Sequence, residues 1–415
     1  MANGDAGQHR ILALVVGLGV IALSLLCSEI TVWFLATCDI DGNCQLSILN
    51  RTLYLKPFKI PVNSAKSLLE RYRLGRSYLM YDPNLGWVQR PSSTSENGLY
   101  HANGDGVRKA SVGEETLIAR RGLRVLLLGD SYTHGDEVPF EQTWGAFLEK
   151  KLAEAGVHAD VINLGVPGYG MDQAYLRWKT AGAAFSPDLV ILGFQPENLK
   201  RNLNILRMLY YKPSNIPFSK PRFVRAGRYL ELVNVPTPSP DELLDIYARI
   251  ERWENRQYEY YYRPTEYQDR IWLKSKLMAA TIALAENVSA EEKEFELYAL
   301  ENEPSQLALA ILDELKSHVE QQGAAFLVAA LIPRSYSHYV SEAHPSPYQR
   351  LLEAVKTRYD TVETADQLYA QVKKENLDEL FSGYHYSAKA NEIVASVIAE
   401  AIRQRQPTMQ RSRER

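Results

Sequence analysis

Between residues 124 and 403 the chain alternates short apolar runs with amphipathic segments, and nothing else in it constrains the fold as strongly. Residues 124–128 form an apolar run that ends at Gly129, and 141–155 then place Trp144, Phe147, Leu148 and Leu152 at helical spacing. Strand-like runs follow at 160–164 and 189–193, with a helical segment at 171–184 between them. An amphipathic helix is expected at 305–321, a strand at 325–332 closed by Pro333, and a last helix at 387–403. Strands that alternate with helices predict an α/β fold, a parallel sheet covered by helices on both faces. Ligands of such sheets sit at the carboxyl ends of the strands.

Upstream of this body lies a different kind of segment. Residues 11–27 carry no charge, and after Ser28 and Glu29 the apolar run resumes over 30–36. A helix through 11–36 is long enough to cross a bilayer, so it reads as an uncleaved anchor. The alternatives are a cleaved signal peptide and a buried core helix, and Leu35-Ala36-Thr37-Cys38 is a poor match to a lipoprotein cleavage site. The ten residues before the run are expected to be a cytoplasmic tail, and the body to lie outside the inner membrane. Cys38 and Cys44 flank a short polar loop just past the run. Spacing alone leaves a disulfide and a pair of free thiols equally open.

Residues 37–120 are rich in turn formers and read as a leader and linker of short hairpins. An insertion at 205–302 interleaves basic residues with aromatics, among them Tyr210, Tyr211, Lys220 and Arg222. It reads as a helical cap packed on the sheet, or as a platform whose rings stack on sugars or enter a lipid surface. The tail 405–415 is basic and reads as a solvated end. Lys plus Arg number 47 against 50 Asp plus Glu, so the chain lacks the charge of a nucleic-acid binder.

The chemistry concentrates where the first strand ends, at Gly129-Asp130-Ser131-Tyr132-Thr133-His134-Gly135. Three further blocks follow strand ends or precede the last helix. They are Asn163-Leu164-Gly165-Val166-Pro167-Gly168, Gly193-Phe194-Gln195-Pro196-Glu197-Asn198, and Gly383-Tyr384-His385-Tyr386-Ser387. Together they resemble the four blocks of the SGNH hydrolases, also called the GDSL family, over residues 121–404 with the insertion inside. The resemblance implies a flavodoxin-like three-layer fold and a serine esterase or acyl-group enzyme. It maps the nucleophile to Ser131, the base to His385, and the oxyanion hole to Gly168 and Asn198.

Two positions depart from the family pattern. Asn198 is followed by Leu199 where the family has Asp, which keeps Gln195 and Asn202 open as rival oxyanion donors. Ser382 stands where the family has the Asp three residues before the base. The nearest carboxylates are Asp378 and Glu379, which a loop would bring back to the imidazole. Otherwise a backbone carbonyl orients His385 and the enzyme is a Ser-His dyad.

These residue types suit acyl transfer. A serine hydroxyl needs a base to take its proton, and histidine is the side chain whose ordinary pKa lies near neutrality. Backbone N–H groups and an amide then hold the oxyanion of the tetrahedral intermediate. His134, three residues after Ser131, reads as structural or solvated, the alternative being a residue that lines the pocket. His9, His101, His158, His318, His338 and His344 lack metal-ligand spacing, and no P-loop or GxSxG elbow occurs, so no cofactor and no metal are expected. The expected function is removal of acyl or acetyl groups from cell-envelope or exported glycans, the partner being an acylated glycan or a lipid-linked substrate. The alternatives are an acyltransferase that serves a polysaccharide together with a membrane acyltransferase partner, and a non-catalytic glycan-binding module.

Overall fold

The computed structural model describes residues 3–48, 51–75, 77–116, 122–212, 214–227, 229–336, 339, 345–370 and 374–413. His338 and His344 lie outside them, as do residues 414–415 of the basic tail. The chain divides into two compact units, Met1–Ser64 with Tyr262–Lys293, and Ala65–Tyr261 with Glu294–Arg415. Residues 262–293 of the expected insertion thus cluster with the N-terminal segment.

In the first unit, helix Asn3–Leu35 contains a stretch, His9–Leu35, that is long and apolar enough to cross a membrane, with a mean hydropathy of 2.7. Most of its large side chains, Leu14, Ile21 and Phe34 among them, are exposed, so it is not a core helix, while Val32 near its end packs against the small core of this unit. Glu29, the one acid in that stretch, caps another helix, Lys276–Val288. Its carboxylate accepts from the backbone N–H of Lys276 and Leu277 at 2.8 and 2.9 Å and from the Ser275 hydroxyl at 2.6 Å. Three otherwise open donors at a helix N-terminus meet the one charge the apolar run carries. Cys38 and Cys44 are joined in a disulfide beside a small antiparallel sheet of Thr37–Cys38, Cys44–Ile48 and Arg51–Leu55.

The second unit is built on a five-stranded parallel sheet. Its strands are β1 (Leu123–Gly129), β2 (Ala159–Asn163), β3 (Leu189–Phe194), β4 (Ala325–Ala330) and β5 (Thr361–Glu363), in the order β2-β1-β3-β4-β5. That is the flavodoxin-like doubly wound order, with its switch point between β1 and β3. Helices α1 (Trp144–Glu154), α2 (Met171–Thr180), α3 (Glu303–Gln321), α4 (Gln349–Arg358) and α5 (Ala388–Arg413) connect and close it.

Alternate residues of each strand enter opposite cores, as the two-residue period of a strand dictates. Leu126, Leu128, Val190, Leu192 and Val328 pack with Trp178 of α2, Leu312 of α3 and Leu351 of α4. Val125, Leu127, Ile191 and Leu327 pack with Trp144 and Leu148 of α1 and Val394 and Ile398 of α5. Each side chain of this size, fully buried, contributes about 1.5–3 kcal/mol. The two cores make the three-layer architecture. β5 is absent from the periodic pattern because a strand of three residues is too short to register, whereas α4 does bury Leu351, Leu352 and Val355 at helical spacing.

Between β3 and α3 the insertion adds the hairpin Arg222–Ala226 and Tyr229–Val233 and the helix Pro240–Ala248. Ser239 and Glu242 form a capping box at that helix, and its Leu243 and Tyr247 are buried.

Candidate active site

The site begins with one short helical turn, Ser131–His134, seated on the carboxyl edge of the sheet. Asp130 caps it, its carboxylate accepting from Tyr132 N at 2.9 Å, and Gly135 ends it in the left-handed region at φ +81°. The turn lies close to the strands because Gly129 and Gly193 leave room for Thr133. A Cβ on either would fall 2.2 or 2.1 Å from Thr133 Oγ1. Close approach of backbone to the β1–β3 switch point therefore sets the Ser131 hydroxyl over the crevice.

His385 reaches this serine from 254 residues downstream. Its Nε2 lies 2.8 Å from Ser131 Oγ, a nucleophile-to-base hydrogen bond. The loop that carries it is tied to the serine's own turn. Tyr132 donates its hydroxyl to Tyr384 O at 2.6 Å, and its ring centroid lies 5.0 Å from that of His385.

On the far side of the imidazole stands Glu137. Its Oε1 lies 3.3 Å from His385 Nδ1, within ion-pair reach though off the line of a hydrogen bond, and its Oε2 accepts from the backbone N–H of Tyr384 and His385 at 2.9 and 3.0 Å. Gly383 makes the approach feasible, since a Cβ there would meet Glu137 Oε2 at 2.6 Å. Glu137 has φ +69°, rare for a side chain of its type, and its N–H donates to the Tyr100 hydroxyl at 2.8 Å. Strain of this sort persists where the surroundings impose it, and it concentrates at functional sites.

The charges follow from this arrangement. Burial alone lowers the pKa of His385, but the Glu137 contact and the carboxylates of Asp136 and Asp130 outweigh it, and the net shift is upward. Burial pushes the Glu137 carboxyl up, yet its bonds to His385 and the loop N–H groups hold it below its ordinary value. His134 is wholly buried between Tyr78 Oη at 2.9 Å and Asp136 Oδ1 at 2.6 Å, and burial drives its pKa down. It is thus a packed structural residue, in line with the first of its two sequence readings.

The sequence-expected carboxylates are elsewhere. Asp378 Oδ1 accepts from Arg334 Nη2 at 2.5 Å and Glu379 Oε2 from Lys389 Nζ at 2.7 Å, and both side chains are exposed. They lie on the turn Lys374–Leu380, where solvent and surface cations satisfy them, so neither orients the base. The dyad expectation is corrected as well, because a carboxylate does face Nδ1. Ser382 is paired with His385 across a two-stranded ladder, and the missing Asp is replaced from another part of the chain. The only sequence hint of Glu137 is an acidic pair, Asp136-Glu137, right after the Gly135 break.

Asp130 gathers the third block beneath the serine. Its Oδ2 accepts from Asn198 Nδ2 at 2.9 Å, from Arg201 Nη1 at 2.9 Å and from Gln195 Nε2. Arg201 also donates to Tyr169 O at 3.1 Å, which binds the third block to the second. Asn198 Nδ2 has one more hydrogen to offer an oxyanion. Asn202 instead points its Oδ1 at Asp172 N, 3.3 Å away. Gly168 sits at φ +82° in the loop after β2. Asn198→Ala is expected to lower kcat roughly 100-fold with KM little changed, because its hydrogen bond strengthens as negative charge develops. Steady-state kinetics on a short-chain ester check this, and an equal loss in Asn202→Ala would reassign the donor.

Known proteins share this segment. Residues 127–194 match the model of the GDSL-like Lipase/Acylhydrolase family. An arylesterase of Vibrio mimicus is 30% identical over 90 residues, a stretch that spans 20% of this chain and 45% of the arylesterase. Among solved structures, a lipase/acylhydrolase from Enterococcus faecalis superposes at a TM-score of 0.33 and 13% identity, covering 68% of this chain and 96% of that one. A GDSL-like lipase from Bacteroides thetaiotaomicron gives 0.31 and 11%, over 68% and 88%. The segment 127–194, which holds Ser131, is thus similar to the GDSL-like Lipase/Acylhydrolase family, and the chain spans less than half the length of the arylesterase it matches.

Proposed function

We propose that this chain is a membrane-anchored serine esterase that removes acyl groups from a cell-envelope or exported glycan. The observation that carries the reading is the relay of Ser131 Oγ, His385 Nε2 at 2.8 Å and Glu137 facing Nδ1 at 3.3 Å. In the reaction His385 takes the Ser131 proton as Oγ attacks the ester carbonyl. The oxyanion so formed is held by the N–H groups of Ser131 and Gly168 and by the Asn198 amide. The imidazolium, favoured by Glu137, then gives its proton to the departing alcohol, and water resolves the acyl-enzyme by the same steps in reverse order. A serine hydrogen-bonded to an imidazole that a carboxylate faces weighs against a module that only binds.

The glycan reading draws on a pocket of about 450 Å³ that includes Asp136 and Pro167, although Ser131, Glu137, Gly168 and His385 are not part of its lining. Tyr72, Tyr78 and Tyr100 line it with Arg71 and Glu96, and rings among hydrogen-bonding groups suit a sugar. The apolar stretch His9–Leu35 and the Cys38–Cys44 disulfide just past it fit a body held at the outer face of a membrane, where thiols oxidise. A fluorophosphonate probe applied to intact cells tests the reading, because it reacts only with an activated serine. The labelled chain is expected in carbonate-washed membranes. An abundant but unlabelled chain would overturn the esterase, and label confined to the soluble fraction would overturn the anchor.

A further inference from the structure

Arg207 begins the short helix Arg207–Tyr210 and is 8% exposed. Its Nε and Nη1 are buried with no hydrogen-bond partner. The guanidinium lies over two rings, 5.2 Å from the centroid of Tyr210 and 5.4 Å from that of Tyr211. Rings satisfy its face and leave its edge donors unused. Its neighbour Arg201 donates from Nη1 to Asp130 and to Tyr169 O and lies 3.7 Å from Glu197, although its own Nε is also without a partner. Glu197 Oε1 is in turn taken by the Tyr210 hydroxyl at 2.8 Å. Burial, and after it the charge of Arg201, push the Arg207 pKa down to about 10. Buried guanidinium groups are ordinarily matched by an anion, since an unmatched charge costs heavily in a low-dielectric setting.

Its position says where such an anion would come from. A Cβ built on Gly168 falls 3.5 Å from Arg207 Nη2, so the guanidinium borders the loop expected to cradle the oxyanion. Tyr211, over whose ring the guanidinium also lies, is 43% exposed, so one wall of the cluster is at the surface.

We propose that Arg207 is the specificity residue of this site, binding a carboxylate or phosphate group carried by the substrate next to the scissile ester. The proposal rests on the esterase reading and deepens it: the acyl ester is that of an acidic glycan unit or of a phosphate-bearing, lipid-linked one. Glu197 supplies part of the countercharge of Arg207 but no hydrogen bond to it, and the planar fork of Arg207 suits the two oxygens of either group, so substrate binding would give its unpartnered N–H groups acceptors.

The test uses the full-length chain in detergent and three matched esters, O-acetyl glucuronic acid, O-acetyl glucose 6-phosphate and O-acetyl glucose. Wild type is expected to favour one of the two acidic esters over the neutral one by about 10- to 100-fold in kcat/KM, mainly through KM. The favoured arm identifies the anion. In Arg207→Gln the preference should vanish while kcat on O-acetyl glucose stays within about twofold, and Arg207→Lys should restore only part of it. An absent preference in wild type, a preference retained in Arg207→Gln, or an equal loss of kcat on all three esters would each overturn the proposal. Should no ester be cleaved, the esterase reading fails by itself. Titration of wild-type protein with glucuronate, inorganic phosphate and glucose then judges Arg207, and equal affinity for all three would sink the anion site.

Discussion

Ser131→Ala is expected to lower kcat on a short-chain ester by roughly 10⁶-fold and to abolish fluorophosphonate labelling, leaving only what the oxyanion donors and binding supply. The size follows from the geometry. With Nε2 2.8 Å from Oγ, His385 has one proton to take, and alanine removes both the proton and the attacking oxygen. His385→Ala should cost about as much, and the double variant should be scarcely worse than either, because the two act as one unit. Measured kcat values that multiply, or labelling that survives in Ser131→Ala, would show that another nucleophile does the work.

Glu137→Gln is the second large effect, a loss of roughly 10³- to 10⁴-fold in kcat, of the order seen when the acid behind a catalytic histidine becomes an amide. The pH profile carries the diagnosis. His385 must be neutral to act, and its pKa is raised above the ordinary histidine value with Glu137 as a main cause, so kcat/KM of wild type should fall as pH drops through a pKa above 6.5. Without the carboxylate the imidazolium loses that support, and the acid limb should move to lower pH. Asp378→Asn and Glu379→Gln should leave rate and profile within about twofold, since Arg334 and Lys389 hold those carboxylates away from the ring. A limb that stays in place in Glu137→Gln would return the site to a dyad.

Much of this was legible along the chain. The strands β1, β2, β3 and β4 are short apolar runs bounded by Gly or Pro, and their burial on both faces is what makes the runs continuous. Ser131, Gly168, Asn198 and His385 could be named because the four blocks that carry them resemble those of the SGNH hydrolases. The third block differed in use: Asn198 and Gln195 both turn an amide to Asp130, a pairing set by side-chain packing across 65 or more residues.

The sequence by itself determined the alternation and the apolar N-terminal helix, since periodicity is a local property, and it proposed Ser131 as nucleophile and His385 as base through the resemblance of its four blocks to a known family. Tertiary structure alone decided which acid faces His385. Glu137 is 248 residues from it in the chain and lies near Ser131 instead, whereas Asp378 and Glu379 are near in sequence and turned to solvent. It also decided that Arg207 is buried beside Gly168 with its Nε and Nη1 lacking hydrogen-bond partners. Contacts of that kind depend on how the loops after β1, β2 and β3 converge, and loop closure over such distances leaves no period in the sequence to read.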